Sequence, residues 1–237
     1  MYSSVMIKTV IFDIDGTLYD YNTASGKAMA AISEYVCTKY GWTREMFNDA
    51  HKEAFDALNR QAKGTAASHN RLIRYGLLAE QQRLSQSDAL AMDEIYWTTF
   101  IRDIVPFPYL AEALACLKKN GIRIGAGTNM TAYAQYLKLR KLELLDAFDF
   151  IVTSEEALAE KPKETFFERC AERAGCAPEE CLFIGDETEK DVNGARRIGM
   201  HALLVSLDEA NAEGNDGVLY SYRDLPEIIR AWNAKNV

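Results

Sequence analysis

From residue 105 onward the chain alternates short apolar runs with segments of helical period, and this alternation limits the folds open to it more than any other feature. The runs are "IRIGAGT", "FDFIVTS", "CLFIGD" and "HALLVS". Helices are expected near 109–120, 131–142, 163–175 and 189–199, with one more at "DLPEIIRAWN". Short β-branched and aromatic runs separated by helix-length segments read as βα units, whose strands pair in parallel. An earlier run, "IKTVIFDID", has the same character and joins the same sheet. The expected fold class is α/β: a Rossmann-like parallel sheet core with helices on both faces.

Residues 23–104 break the alternation and carry helical periods alone. Met29, Ile32, Val36 and Tyr40 recur at three- and four-residue spacing, as do Phe47, Ala50, Ala54 and Leu58. A segment over 86–103 carries Leu90, Ala91, Ile95 and Phe100. Breaks fall at "YGWT", "AKGT" and "YGLL", with Thr43 and Thr65 as N-cap candidates. The expected division is therefore a core of residues 1–22 and 105–237, interrupted by an inserted α-helical domain over 23–104. A length of 237 residues suits one core plus such an insertion.

Composition narrows the function classes. There are 35 acidic against 27 basic side chains, a net charge of −8, and no compensating Lys/Arg run. That balance excludes a general nucleic-acid or membrane-surface binder. "MYSSVMIKTV" has no apolar stretch of leader length, and no run of 18 apolar residues occurs, so a cytoplasmic protein is expected. The five cysteines are odd in number and lack CxxC spacing, which favours reduced, buried thiols over a zinc site.

In an open α/β sheet, ligands gather at the carboxyl ends of strands. Those ends hold Asp13 and Asp15, followed by Gly16; Thr128 and Asn129; Lys161, just before Pro162; and Asp186, with Asp191 five residues on. Asp13, Asp15 and Asp186 would repel one another unless a hard dication sat among them, and few-carboxylate sites that meet a phosphate are typical of Mg²⁺. Lys161 can neutralise phosphate charge while Thr128 and Asn129 donate hydrogen bonds. Gly16 lets the backbone approach closely. In the inserted region Arg71 and Arg74 lie three apart on one helix face, a candidate contact for an anionic substrate group.

The set D-x-D-G-T at 13–17, Thr128, Lys161-Pro162 and G-D-x-x-x-x-D at 185–191 resembles, in order and spacing, the haloacid dehalogenase-like hydrolases. The insertion is similar to that family's helical cap. The resemblance implies a Mg²⁺-dependent phosphatase acting on a small phosphorylated metabolite. Asp13 would be the nucleophile that becomes an aspartyl phosphate, and Asp15 the general acid and then base. The Asp15 backbone carbonyl would join Asp13 and Asp186 on the metal; Thr128 and Lys161 would hold the phosphoryl group, with Asp191 supporting metal and lysine. Lys190 departs from the Asn that many relatives carry before the last aspartate. The second aspartate, Asp15, speaks against a dehalogenase, whose halide leaving group needs no acid. A phosphomutase on the same scaffold and a non-catalytic phospho-acceptor module are the alternatives. The latter is about half this length and lacks the insertion.

Overall fold

The computed structural model of the protein describes residues 5–207 and 217–235. Its central strand, β1 (Thr9–Phe12), is buried along its whole length. The chain then runs through α1 (Tyr21–Tyr40), α2 (Arg44–Ala62), a 3₁₀ turn (Ala66–His69), α3 (Arg71–Gln81) and α4 (Gln86–Asp103). It continues through α5 (Leu110–Lys119), β2 (Arg123–Thr128), α6 (Ala132–Lys141), β3 (Phe150–Thr153), the single turn α7 (Ser154–Ala157) and α8 (Glu164–Ala174). After β4 (Cys181–Gly185) come a π-helical turn (Thr188–Asn193), α9 (Gly194–Arg197), β5 (His201–Val205), β6 (Val218–Leu219) and α10 (Leu225–Lys235).

Two compact units result: one from the chain up to Asp20 and from Val105 on, the other from Tyr21–Ile104. The first is built on a parallel sheet of order β3-β2-β1-β4-β5-β6. From β1 the chain winds to one side through β2 and β3, then returns to β4 and β5 on the other. The reversal falls beside β1, where α/β sheets open a crevice at their carboxyl ends. Phe12 pairs with Ala126 on one side and Ile184 on the other, so Asp13, Thr128 and Asp186 end three adjacent strands.

The strand interiors are apolar because both faces are covered. On one face Ile11, Phe150, Val152, Cys181 and Phe183 meet Phe166, Phe167, Cys170, Ala171 and Ala174 of α8. Phe167 packs edge-on against Phe183, with ring centroids 5.1 Å apart. On the other face Phe12 meets Phe148 and Tyr222, each at 6.4 Å, while α5 packs on β2 and α10 on α5. All five cysteines are free thiols.

The helical unit pairs α1 with α4, α4 with α3, and α3 with α2. Thr43 caps α2, its side chain accepting from Met46 N at 3.2 Å, and Phe47, Ala50, Ala54 and Leu58 are buried as their period requires. Thr65 differs from expectation. It precedes only the 3₁₀ turn and its hydroxyl donates back to Ala62 O, while Asn70 caps α3 by accepting from Ile73 N. The buried face of α4 is also shifted: Ala89, Met92, Tyr96 and Phe100 point inward, whereas Leu90 is half exposed. Asp88, in the first turn of α4, accounts for the shift. Buried completely, it accepts from Tyr35, Lys39 and Tyr40 at the end of α1, which fixes the rotation of one helix against the other.

Candidate active site

The first acidic residue, Asp13, follows β1 directly, and its backbone N–H donates to Ile184 O at 2.8 Å, continuing the β1–β4 ladder. Its carboxylate is buried and lies 2.7 Å from Lys161 Nζ. The same ammonium donates to Asp191 Oδ1 at 2.7 Å. Lys161 is set by its own backbone, whose N–H donates to Asn129 Oδ1 at 2.9 Å. Asn129 thus orients the lysine through its carbonyl oxygen, a role the sequence did not suggest. Asp191 is almost wholly buried and its Oδ2 accepts from Glu187 N at 2.9 Å, closing the π-helical turn that replaces the expected α-helical start at 189.

Asp186 completes the cluster. Carboxylate oxygens of Asp13, Asp186 and Asp191 all lie within 4.8 Å of one another. Thr17 donates to Asp186 Oδ1 at 3.1 Å, and the Thr17 carbonyl accepts from Tyr222 OH at 2.6 Å. Two glycines make this crowding feasible. Gly16 adopts φ +83°, and a Cβ there would lie 2.3 Å from Asp186 Oδ2; one on Gly185 would lie 2.3 Å from the Asp191 carboxyl carbon.

Three carboxylates face one ammonium. Burial pushes the Asp13 carboxyl up to about 7; Lys161 pulls it down, but Asp191 and Asp186 push it up again. Burial and the Asp191 charge raise Asp186 to about 6. Lys161 is held firmly as an ammonium, because Asp13 and Asp191 outweigh the cost of its burial. The deficit of positive charge among close oxygen donors is what a hard divalent cation would relieve, so these residues fit Mg²⁺.

Asp15 lies apart from that trio. Its side chain turns toward α6, where Lys138 Nζ donates to both carboxylate oxygens at 2.7 Å and Gln135 Nε2 to Oδ2 at 3.1 Å; Tyr19 OH donates to Oδ1. Burial favours the neutral acid, but Lys138, Tyr19 and Gln135 together hold the carboxyl below its usual range. Thr128 is fully buried at the end of β2, its hydroxyl accepting from Gln135 Nε2 at 2.9 Å. Gln135 and Lys138 were not anticipated. Their signal in the sequence is their phase, since they share the buried stripe of α6 with Ala134 and Leu139.

Of the arginines in the helical unit, Arg71 is buried, not solvated. It donates to Tyr21 OH at 2.8 Å and Tyr96 OH at 2.7 Å and stacks on the Tyr96 and Trp97 rings. Arg74 lies over the Phe55 ring, and its Nε is buried without a hydrogen-bond partner. Lys190 pairs with Glu187 at the surface.

A strand-end aspartate shares a lysine with a second acid beside the sheet's reversal point, an arrangement suited to a hydrolase, and comparison with known proteins shows the class. The family model for haloacid dehalogenase-like hydrolases matches residues 7–199. The chain belongs to that family, and it is an enzyme of the phosphatase kind. It is 33% identical over 208 residues to the ribulose-1,5-bisphosphate 5-phosphatase of Halopiger xanaduensis, covering 86% of this chain and 87% of that protein. It is 32% identical to the glyceraldehyde 3-phosphate phosphatase of Methanothermobacter thermautotrophicus, over 88% of this chain and 89% of that one. Among solved structures, an HAD phosphatase from Thermococcus onnurineus superposes with a TM-score of 0.69 at 24% identity, covering 94% of this chain and 98% of that one, a likeness of fold.

Proposed function

We propose that the protein is a Mg²⁺-dependent phosphatase that hydrolyses a small phosphorylated metabolite, sugar phosphate in kind, through an aspartyl phosphate on Asp13. The observation that carries this reading is the buried Asp13 carboxylate, 2.7 Å from Lys161 Nζ and grouped with Asp186 and Asp191. The names of the two relatives, both phosphatases of small sugar phosphates, support the substrate class.

Asp13, Asp186 and the Asp15 backbone carbonyl would hold the metal, with Asp191 beside them. When bound, Mg²⁺ offsets the repulsion between a phosphate dianion and an attacking carboxylate. One Asp13 oxygen bonds to phosphorus as the ester oxygen leaves. Lys161 and the Thr128 hydroxyl bind the phosphoryl oxygens. Asp15, once it has taken up a proton in place of one of its donors, gives it to the leaving oxygen, then takes one from the water that hydrolyses the aspartyl phosphate. Asn129, holding the Lys161 backbone, keeps the ammonium in register. Of the two arginines of the helical unit, Arg71 is held by the Tyr21 and Tyr96 hydroxyls, which makes Arg74 the better candidate for a second anionic group on the substrate.

A panel of phosphorylated sugars and sugar acids, ranked by kcat/KM with Mg²⁺ present, tests the reading. Turnover is expected to fall to background in excess EDTA and to return with Mg²⁺. Undiminished turnover in excess chelator would exclude the metal assignment.

A further inference from the structure

The Asp15 carboxylate is saturated. Tyr19 OH and Lys138 Nζ donate to Oδ1, and Gln135 Nε2 and Lys138 Nζ donate to Oδ2, so each oxygen accepts from two donors. A carboxylate offers about four acceptor positions in all. Lys138 is fully buried, as is Gln135, and a buried ammonium is tolerated only where paired and hydrogen-bonded. The Gln135 amide also donates to Thr128 Oγ1 at 2.9 Å and Asn129 O at 2.8 Å. Standing i and i+3 on α6, the two residues span from the end of β2 to the end of β1.

We propose that Lys138 and Gln135 are positioning residues of the phosphatase reaction: they aim the Asp15 carboxyl group and tie it to Thr128, so one helix sets both the proton-transfer group and a phosphoryl ligand. This rests on the reading of Asp15 as acid and base given above. Before the first step the Asp15 carboxylate takes a proton from solvent in place of one of its donors; a bond then forms between an Asp13 oxygen and phosphorus, the ester P–O bond breaks, and that proton passes to the leaving oxygen. In the second, water oxygen bonds to phosphorus, its proton passes to Asp15, and the bond from phosphorus to Asp13 breaks. Both steps require Asp15 to exchange one of its partners for a reacting oxygen without losing its bearing. Lys138 contacts both carboxylate oxygens, so it can release one while keeping the other.

The test is leaving-group dependence. Lys138→Met keeps an unbranched apolar stem and removes the ammonium. The probes are p-nitrophenyl phosphate, whose leaving group needs little help from an acid, and the alkyl phosphate of the panel that wild type hydrolyses fastest. With positioning lost, kcat/KM for the alkyl ester is expected to fall about a hundredfold, and that for the aryl ester by less than about tenfold. Equal losses on both esters, no loss, or a gain would overturn the inference, since a packing role has no reason to discriminate between leaving groups. If Lys138→Met does not fold by circular dichroism, Gln135→Met is read by the same ratio, with the same outcomes deciding. Wild type inactive on every alkyl phosphate would defeat the phosphatase reading and this inference together. Equal losses in the variants of an active wild type defeat the inference alone.

Discussion

Replacing Asp13 with asparagine exchanges one oxygen for an amide nitrogen and removes a charge from a site where two of three clustered carboxylates share one lysine. The amide is a far poorer nucleophile, so Asp13→Asn is expected to lower kcat by about a thousandfold or more. Its thermal melt should stay near wild type, because Lys161 keeps Asp191 as partner. Single-turnover kinetics and a melting curve on the same preparation check both halves, and activity near a tenth of wild type would exclude Asp13 as nucleophile. The residues named in this cluster were legible because each stands at a strand end or in the segment that follows one, with a motif around it. Gln135 and Lys138 were not, since polar residues inside a helix ordinarily read as its solvated side. Asn129 was legible in place but not in role, because sequence does not say which end of an amide faces the lysine.

At the scale of elements, the βα alternation carried the core. Every strand expected from an apolar run is present, and among the described residues only the short β6 had no forecast. The helical unit was less transparent. In α4 the Leu90, Ala91 and Ile95 phase lost to Ala89, Met92 and Tyr96, because Asp88 is drawn inward by Tyr35, Lys39 and Tyr40, a contact between helices about 50 residues apart that no local period encodes. The same unit holds an acid-sensitive residue. His51 stacks on Phe47 and lies near Tyr75; burial, with the Arg74 and Arg71 charges, lowers its imidazole to about 4. The unfolded chain takes up this proton near pH 6.5 and the folded unit resists it, so the folded unit loses stability as pH falls from about 6.5 toward about 4. The loss from this group should reach about 2 kcal/mol at pH 5. Urea midpoints at pH 7 and pH 5 for wild type and His51→Gln check it: the drop should be smaller in the variant, and equal drops would clear His51 of the effect.

For the molecule as a whole, the sheet order places Asp13, Thr128 and Asp186 at the ends of three neighbouring strands although they stand far apart in sequence. Tyr222, beyond the last motif, reaches back to the Thr17 carbonyl and braces the segment that carries Gly16. Among the described residues no helix is long and apolar enough to cross a membrane. The central claim is that phosphorus passes through Asp13, and Asp15→Asn offers the most direct view of it. That variant lacks the base that drives hydrolysis but can still accept phosphate from an ester with a good leaving group. It should be mixed with p-nitrophenyl phosphate and Mg²⁺, quenched in acid, digested and weighed. The expected result is a gain of about 80 Da, one HPO₃, on the peptide that contains Asp13. A burst of p-nitrophenolate with no such gain on that peptide, or with the gain on another residue, would contradict the account.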